Sequence, residues 1–218
     1  MYKDFESFRL TDSFLEQYRG RQPEWGPLGY IVFKRTYSRS LPNGETEEFW
    51  QTLQRVVEGT YAIQKTHCRY FGLPWNQIKA QKSAQRMFEL MWQMKFLPPG
   101  RGLWAMGTDY VKERSAAPLL SCGFASTKDI ATDFADPFMF LMDMSMLGVG
   151  VGGDTKGAGT LVIKQPKKGE YIFTVPDTRE GWCAIAECIL LSYAGKAIQP
   201  QSIDYSLIRP AGTPIKTF

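Results

Sequence analysis

Histidine is almost absent from this chain of 218 residues, which carries only His67, and cysteine is scarce, at positions 68, 122, 183 and 188. No C-x-x-C pair occurs, and His67-Cys68 cannot close a metal site alone, so a zinc or iron–sulfur centre is not expected. Cys183 and Cys188 lie five apart on an expected helix, which turns them away from a common face. Both read as core or helix-surface residues. No apolar run reaches the ~18 residues of a membrane helix, because Asp143 interrupts the Met-rich stretch and Glu187 the later one. The start, MYKDFESFRL, lacks the charged-then-apolar layout of a signal peptide. A cytoplasmic location with no membrane partner is the expectation. The net charge of +4 is mild and lacks the clustered basic footprint of a nucleic-acid binder, so no direct nucleic-acid contact is expected. Internal repeats and low-complexity tracts are also missing. What remains, 44% hydrophobic and 22% charged residues, is the balance of an ordinary globular protein with enough length to bury a core.

In chain order, residues 1–24 read as a short helix containing Phe5, Phe8, Phe14 and Leu15, followed by a polar link. YIVFKRTY (30–37) reads as a strand, since β-branched and aromatic residues suit a pleated surface. Lys34, Arg35 and Arg39 among its tyrosines are either phosphate or RNA contacts or a solvated strand end, and the low net charge favours the latter. Pro42-Asn43-Gly44 signals a turn. Phe49, Trp50, Leu53, Val56, Val57 and Tyr61 then recur at helical spacing. After the Gly72-Leu73-Pro74 break, a second amphipathic helix carries Ala84, Met87, Phe88 and Met91 and ends before Pro98-Pro99-Gly100. Residues 1–97 are assigned to a mainly helical layer.

The stretch 98–153 organises the rest. PPGRGLWAMGTDY should stop a helix and launch an extended segment, and Leu119, Leu120, Cys122 and Phe124 read as a buried strand. A cysteine there is either inert core filling or a thiol held at a strand end beside a substrate. Asp136-Pro137 should cap a helix with Phe138, Leu141, Met142 and Met146 on one face, ending at Gly148. Gly148, Gly150 and Gly153 formally spell G-x-G-x-x-G, but a helix precedes them and the strand-like TLVIK follows, which is the reverse of a dinucleotide fingerprint. No G-K-[ST] follows either, so a P-loop is excluded. Such a run still lets backbone N–H groups approach phosphate. Residues 161–164 and 171–175 read as a hairpin, Asp177-Thr178-Arg179-Glu180 as a capping box, and 203–208 as a further strand. From 98 onward strands alternate with helices, which argues α/β.

Several words in this order, WGPLGYIVFKRTYSRSLP (25–42), RVVEG (55–59), PPGRGLWAMGTDY (98–110), SCGF (121–124), DPFMFLMD with LGVGVGG (136–153), VPDTREGW (175–182) and IRPAGTPI (208–215), resemble the N-terminal part of the adenosylcobalamin-dependent (class II) ribonucleotide reductases. The likeness is greatest to the monomeric ribonucleoside-triphosphate reductases and runs from about residue 25 to the end. It implies a mixed α/β fold: an N-terminal helical layer (1–97), then the first strands and helices of a ten-stranded α/β barrel (98–218), incomplete in this chain.

In that family a thiyl radical, generated when adenosylcobalamin breaks its cobalt–carbon bond, abstracts the 3′ hydrogen of a ribonucleotide. The 2′-hydroxyl leaves as water, and a cysteine pair supplies the electrons. By its place in SCGF, Cys122 resembles the N-terminal member of that pair. Ser121 and the Gly148 backbone resemble substrate contacts. Asp129, with Ile130 and Ala131, resembles the contact for a deoxynucleotide effector, and the 135–146 helix a region associated with it. The segment between Cys122 and Pro137 looks shorter than in relatives. The chain stops where the family continues into Gly-Gly-x-Ala-Ser-Gly, so the radical cysteine, the second redox cysteine and most of the cobalamin surface are expected on a complementary C-terminal segment. A ribonucleoside triphosphate and a thioredoxin-like dithiol reductant complete the implied partners. The alternative is a standalone nucleotide-binding or regulatory module that kept the scaffold without the chemistry.

Overall fold

The computed structural model describes residues 5–113 and 116–213. Pro214 and Ile215, which close the word IRPAGTPI, lie outside the described residues. The chain divides between Leu119 and Leu120 into two compact units. The helical part thus runs on past the 97/98 boundary read from sequence, because Pro98-Pro99 opens a helix instead of an extended segment.

The first unit is built on two long helices. α3 (Phe49–Tyr70) starts from a reciprocal capping box between Glu48 and Gln51, and α4 (Gln77–Trp92) from Asn76, whose side chain accepts the Lys79 N–H. Their spacing places Leu53, Val56 and Val57 of α3 and Ala84, Phe88 and Met91 of α4 in one core, each at most 1% exposed. Full burial of the larger of these side chains contributes about 1.5–3 kcal/mol apiece. Before them come α1 (Asp12–Leu15), a single turn where a longer helix was expected, and α2 (Pro27–Thr36). After them come α5 (Gly100–Ala105), α6 (Asp109–Glu113) and a 3-10 turn at Ala117–Leu119.

The strand expected at 30–37 is therefore the helix α2. Pro27 at its first position fits a helix start. Phe33, its one buried residue, joins Trp25 and Phe49 in an aromatic cluster with ring centroids 4.6–5.3 Å apart. That tertiary anchor outweighs the β propensity of Tyr-Ile-Val-Phe. The basic run is used internally: Lys34 Nζ pairs with Glu48 at 2.7 Å, and Arg39 donates to the Trp104 carbonyl and lies over its ring.

Two of the family words meet here. Arg55 and Glu58 of RVVEG are structural: Arg55 pairs with buried Glu47 (2.7 Å) and donates to the carbonyls of Leu103 and Met106, while Glu58 accepts the Leu10 N–H (3.0 Å). A Cβ on Gly59 would stand 2.7 Å from the Gly107 nitrogen, so α3 and the turn after α5 approach backbone to backbone.

The second unit consists of two strand–helix–strand crossovers. β1 (Cys122–Ala125), α7 (Asp136–Met146) and β2 (Gly150–Gly153) form the first; β3 (Ile172–Thr174), α8 (Arg179–Tyr193) and β4 (Ser202–Asp204) the second. Each strand pair is parallel. The fold is mixed α/β, with short parallel strands following a helical part; among the described residues these four strands are all that is formed of the expected ten-stranded barrel.

Other local expectations shift as well. The hairpin is not formed: residues 161–164 are not a strand, and β3 pairs with β4 across α8. Asp136 is the first helical residue of α7, with Ala135 as its cap. Thr178, not Asp177, caps α8 by accepting the Gly181 N–H, and Asp177 pairs instead with Arg209 at 2.8 Å. No helix among the described residues is long and apolar enough to cross a membrane.

Candidate functional site

β1 and β2 are in register, with Cys122 beside Gly150, Gly123 beside Val151, Phe124 beside Gly152 and Ala125 beside Gly153. Side chains alternate along a strand, so Cys122 and Phe124 share one face and Gly123 and Ala125 the other. α7 covers the second face: a Cβ on Gly123 would meet the Phe140 ring at 3.3 Å, and one on Gly153 would meet Leu141 at 3.6 Å. The first face is open. Cys122 is a free, exposed thiol and Phe124 is 64% exposed, against the buried strand expected from sequence. Their neighbours on β2, Gly150 and Gly152, carry no side chains to cover them. The apolar run misled because its residues serve a face that α7 does not reach.

Ser121, exposed, stands just before the thiol, and its carbonyl accepts the Gly150 N–H at 2.9 Å. Gly148 ends α7 at φ 74°, with its own N–H given to Ser145 (2.8 Å) and the Val149 N–H to Met144 (3.0 Å). This is a glycine-closed helix C-terminus. The Gly148 and Gly150 N–H groups are thus both engaged within the fold. A valine at Gly148 would also be strained by the positive φ. The reversed order of the glycine run holds in part: a helix precedes it, Gly150 and Gly153 lie in β2, and TLVIK is no strand. Ser121, Cys122 and Gly148 gather at the start of the strand pair.

Asp129, Ile130 and Ala131 lie at the other end, about 10 Å along, the length of a four-residue strand. They belong to the loop after β1, which is locked to the loop after β2 by a residue that sequence reading did not single out. Asp154 accepts from Ser126 Oγ (2.8 Å), the Thr127 N–H (2.8 Å), Thr127 Oγ1 (3.0 Å) and the Lys156 N–H (3.2 Å). These donors, the Thr127 amide first, hold its carboxyl well below the usual carboxylate range. Buried Gly157 donates to Thr127 Oγ1 at 3.0 Å, and a Cβ there would overlap the Thr127 carbonyl and stand 2.5 Å from Ile130 Cγ1. The readable signal was Ser126-Thr127 after one strand and Asp154 after the next, side chains that bond nearby backbone in turns.

Cys183 and Cys188 do not share the open face. Cys183 donates to Asp143 of α7 at 3.8 Å, and burial, with Asp143 beside it, pushes its thiol up. Cys188 lies 3.5 Å from the Tyr171 hydroxyl. No group of three or more His, Cys, Asp or Glu among the described residues is arranged to hold a metal. A cleft of about 840 Å³ in the helical unit, between Tyr61, Trp75 and Ile78, contains none of the expected residues.

Comparison with known proteins bears on the family and the fold. The ribonucleotide reductase alpha domain family matches residues 10–108. A probable adenosylcobalamin-dependent ribonucleoside-triphosphate reductase of Dictyostelium discoideum is 44% identical over 98% of this chain and 31% of its own length. The adenosylcobalamin-dependent ribonucleoside-triphosphate reductase of Euglena gracilis is 42% identical over 98% of this chain and 30% of its own. For the enzyme of Lactobacillus leichmannii the identity is 28%, and the aligned length, 270 residues, exceeds this chain, so that relative carries insertions. The crystal structure of a B-12 dependent (class II) ribonucleotide reductase superposes with a TM-score of 0.74 at 27% identity, covering 97% of this chain and 37% of that one. The chain thus spans about a third of the length of the curated relatives it matches. By sequence and by fold it belongs to the adenosylcobalamin-dependent (class II) ribonucleotide reductases, as the counterpart of their N-terminal third.

Proposed function

We propose that this chain is the N-terminal part of an adenosylcobalamin-dependent ribonucleoside-triphosphate reductase, with Cys122 as one of the two thiols that reduce the ribonucleotide. The observation that carries this reading is an exposed thiol on a strand face whose neighbours in register are Gly150 and Gly152. A ribose can approach the backbone there without meeting a side chain. Replacing the 2′-hydroxyl by hydrogen releases water and takes up two electrons and two protons. Two thiols supply both as they join in a disulfide, which requires a second cysteine with its Cα about 4.4–6.8 Å away. That cysteine is assigned to the complementary C-terminal segment, and a thioredoxin-like dithiol then restores the pair.

Ser121 and Gly148 flank the thiol as substrate contacts, Gly148 through its carbonyl and its bare Cα. Asp129, Ile130 and Ala131 are proposed to meet a deoxynucleotide effector at the far end of β1. Adenosylcobalamin would supply the radical chemistry and is assigned mainly to the rest of the reductase. The cytoplasm is the proposed location.

The test is co-expression with the complementary two thirds of a class II reductase, assayed for deoxynucleotide formation with adenosylcobalamin and a dithiol protein. Activity that requires both pieces supports the reading. Deoxynucleotide formation by the 218-residue chain alone would overturn it, and nucleotide binding without assembly would favour the standalone module.

A further inference from the structure

Two neighbouring segments of the second unit contain none of the residues assigned to this chemistry. The Lys164 N–H donates to the Tyr193 carbonyl (2.8 Å), the Gln199 N–H to Lys167 (2.9 Å) and the Gly169 N–H to Gln199 (2.8 Å), so residues 164–169 run alongside the segment that leaves α8. Gly169 makes the close approach feasible, since a Cβ there would stand 2.9 Å from Ile198 Cγ2. Lys164, Lys167 and Lys168 are exposed along the first of these segments, and Lys196, on the second, reaches the Thr132 carbonyl. Against these four lysines the segments 161–171 and 193–199 contain a single acid, Glu170. Among the described residues none of the four forms an ion pair. Between the charges stand aliphatic side chains with no cover: Val162 is 76% exposed, Ile163 58% and Ile198 56%.

Uncompensated like charge raises the encounter rate with an oppositely charged partner, and aliphatic surface supplies affinity once water is excluded. We propose that these two segments form a face that docks a partner protein through an acidic segment bearing aliphatic side chains, its carboxylates meeting Lys164, Lys167 and Lys168 and its aliphatic groups covering Val162, Ile163 and Ile198. A nucleic acid would use the lysines but leave the aliphatic residues in water. This proposal does not depend on the role of Cys122.

The probe is a fluorescent amphipathic peptide rich in Glu and Leu, titrated with the 218-residue chain by anisotropy, beside a Leu→Ser version of the peptide and an oligothymidylate. The acidic peptide should bind, more weakly as salt rises. The triple variant Lys164→Glu, Lys167→Glu, Lys168→Glu and the double variant Val162→Ser, Ile163→Ser should each lose about tenfold or more in affinity, and the Leu→Ser peptide should not bind. Lysine acetylation of the wild-type chain gives a second reading independent of the variants' folding, because the peptide should protect Lys164, Lys167 and Lys168. The proposal is overturned if the acidic peptide does not bind, or if neither set of substitutions changes its affinity and the lysines stay unprotected. Tighter binding of the oligothymidylate would make the face a polyanion surface, and protection of the same lysines by the complementary reductase segment would make it an internal interface; either result overturns the proposal.

Discussion

Gly157→Ala tests how the loop after β1 is held. The residue is buried, its N–H is bonded to Thr127 Oγ1, and a Cβ would stand 2.5 and 2.7 Å from Ile130 Cγ1 and Cδ1, as well as inside the Thr127 carbonyl oxygen. Rotating Ile130 relieves only the first overlap. The carbonyl is backbone, so the loop itself must retreat, by about 1.4 Å, to restore ordinary contact. Overpacking of this kind costs about 1–3 kcal/mol. For a unit of about 100 residues each kcal/mol lowers Tm by roughly 4–8 °C, which predicts a fall of about 4–24 °C in the second unit. Amide exchange should quicken at 126–131 and 154–157, while α3 and α4 keep wild-type protection. At the effector contact proposed for 129–131, deoxynucleotide affinity should fall with the loop's displacement. Wild-type Tm together with unchanged exchange at 126–131 would refute the packing argument.

Arg55→Met should be among the most damaging single changes in the helical unit. It leaves Glu47 buried without its cation and removes the donors to Leu103 and Met106, for a loss of about 3–5 kcal/mol measured by urea unfolding; a loss below 1 kcal/mol would contradict the assigned network. Asp154 titrates below the ordinary carboxylate range, so its contribution is complete above that range and disappears as pH falls through its lowered value. Asp154→Asn should therefore destabilise the second unit at neutral pH and flatten its acid sensitivity, and identical acid-unfolding curves for the two proteins would count against the Ser126–Thr127–Asp154 lock.

What the sequence disclosed divides along physical lines. α3, α4, α7 and α8 were legible because apolar spacing, the Gly72-Leu73-Pro74 break, Pro137, Gly148 and the capping pattern at 177–180 are local signals. α2 was read as a strand because Tyr-Ile-Val-Phe favours extended backbone in isolation, and only the docking of Phe33 against Trp25 and Phe49 decides otherwise. The hairpin failed for a similar reason: 161–164 and 171–175 have strand composition, but pairing is set by the crossover through α8, which the intervening sequence does not reveal. Cys122 was found through its family words and not through periodicity, which placed it in a buried strand. Asp154 was missed because its partners, Ser126 and Thr127, are more than twenty-five residues away, and only the parallel pairing of β1 with β2 brings them together.

The central claim, that Cys122 delivers reducing electrons from the open face of β1, is tested most directly by its redox state after a single turnover. The chain, assembled with the complementary reductase segment and reduced beforehand, is given adenosylcobalamin and a ribonucleoside triphosphate without any dithiol reductant. Differential alkylation and peptide mapping then report each thiol. The account predicts that one deoxynucleotide forms per enzyme and that Cys122 is recovered in a disulfide with a cysteine of the complementary segment, with Cys68, Cys183 and Cys188 still alkylated as thiols. Deoxynucleotide formed in that amount with Cys122 still a free thiol would contradict it.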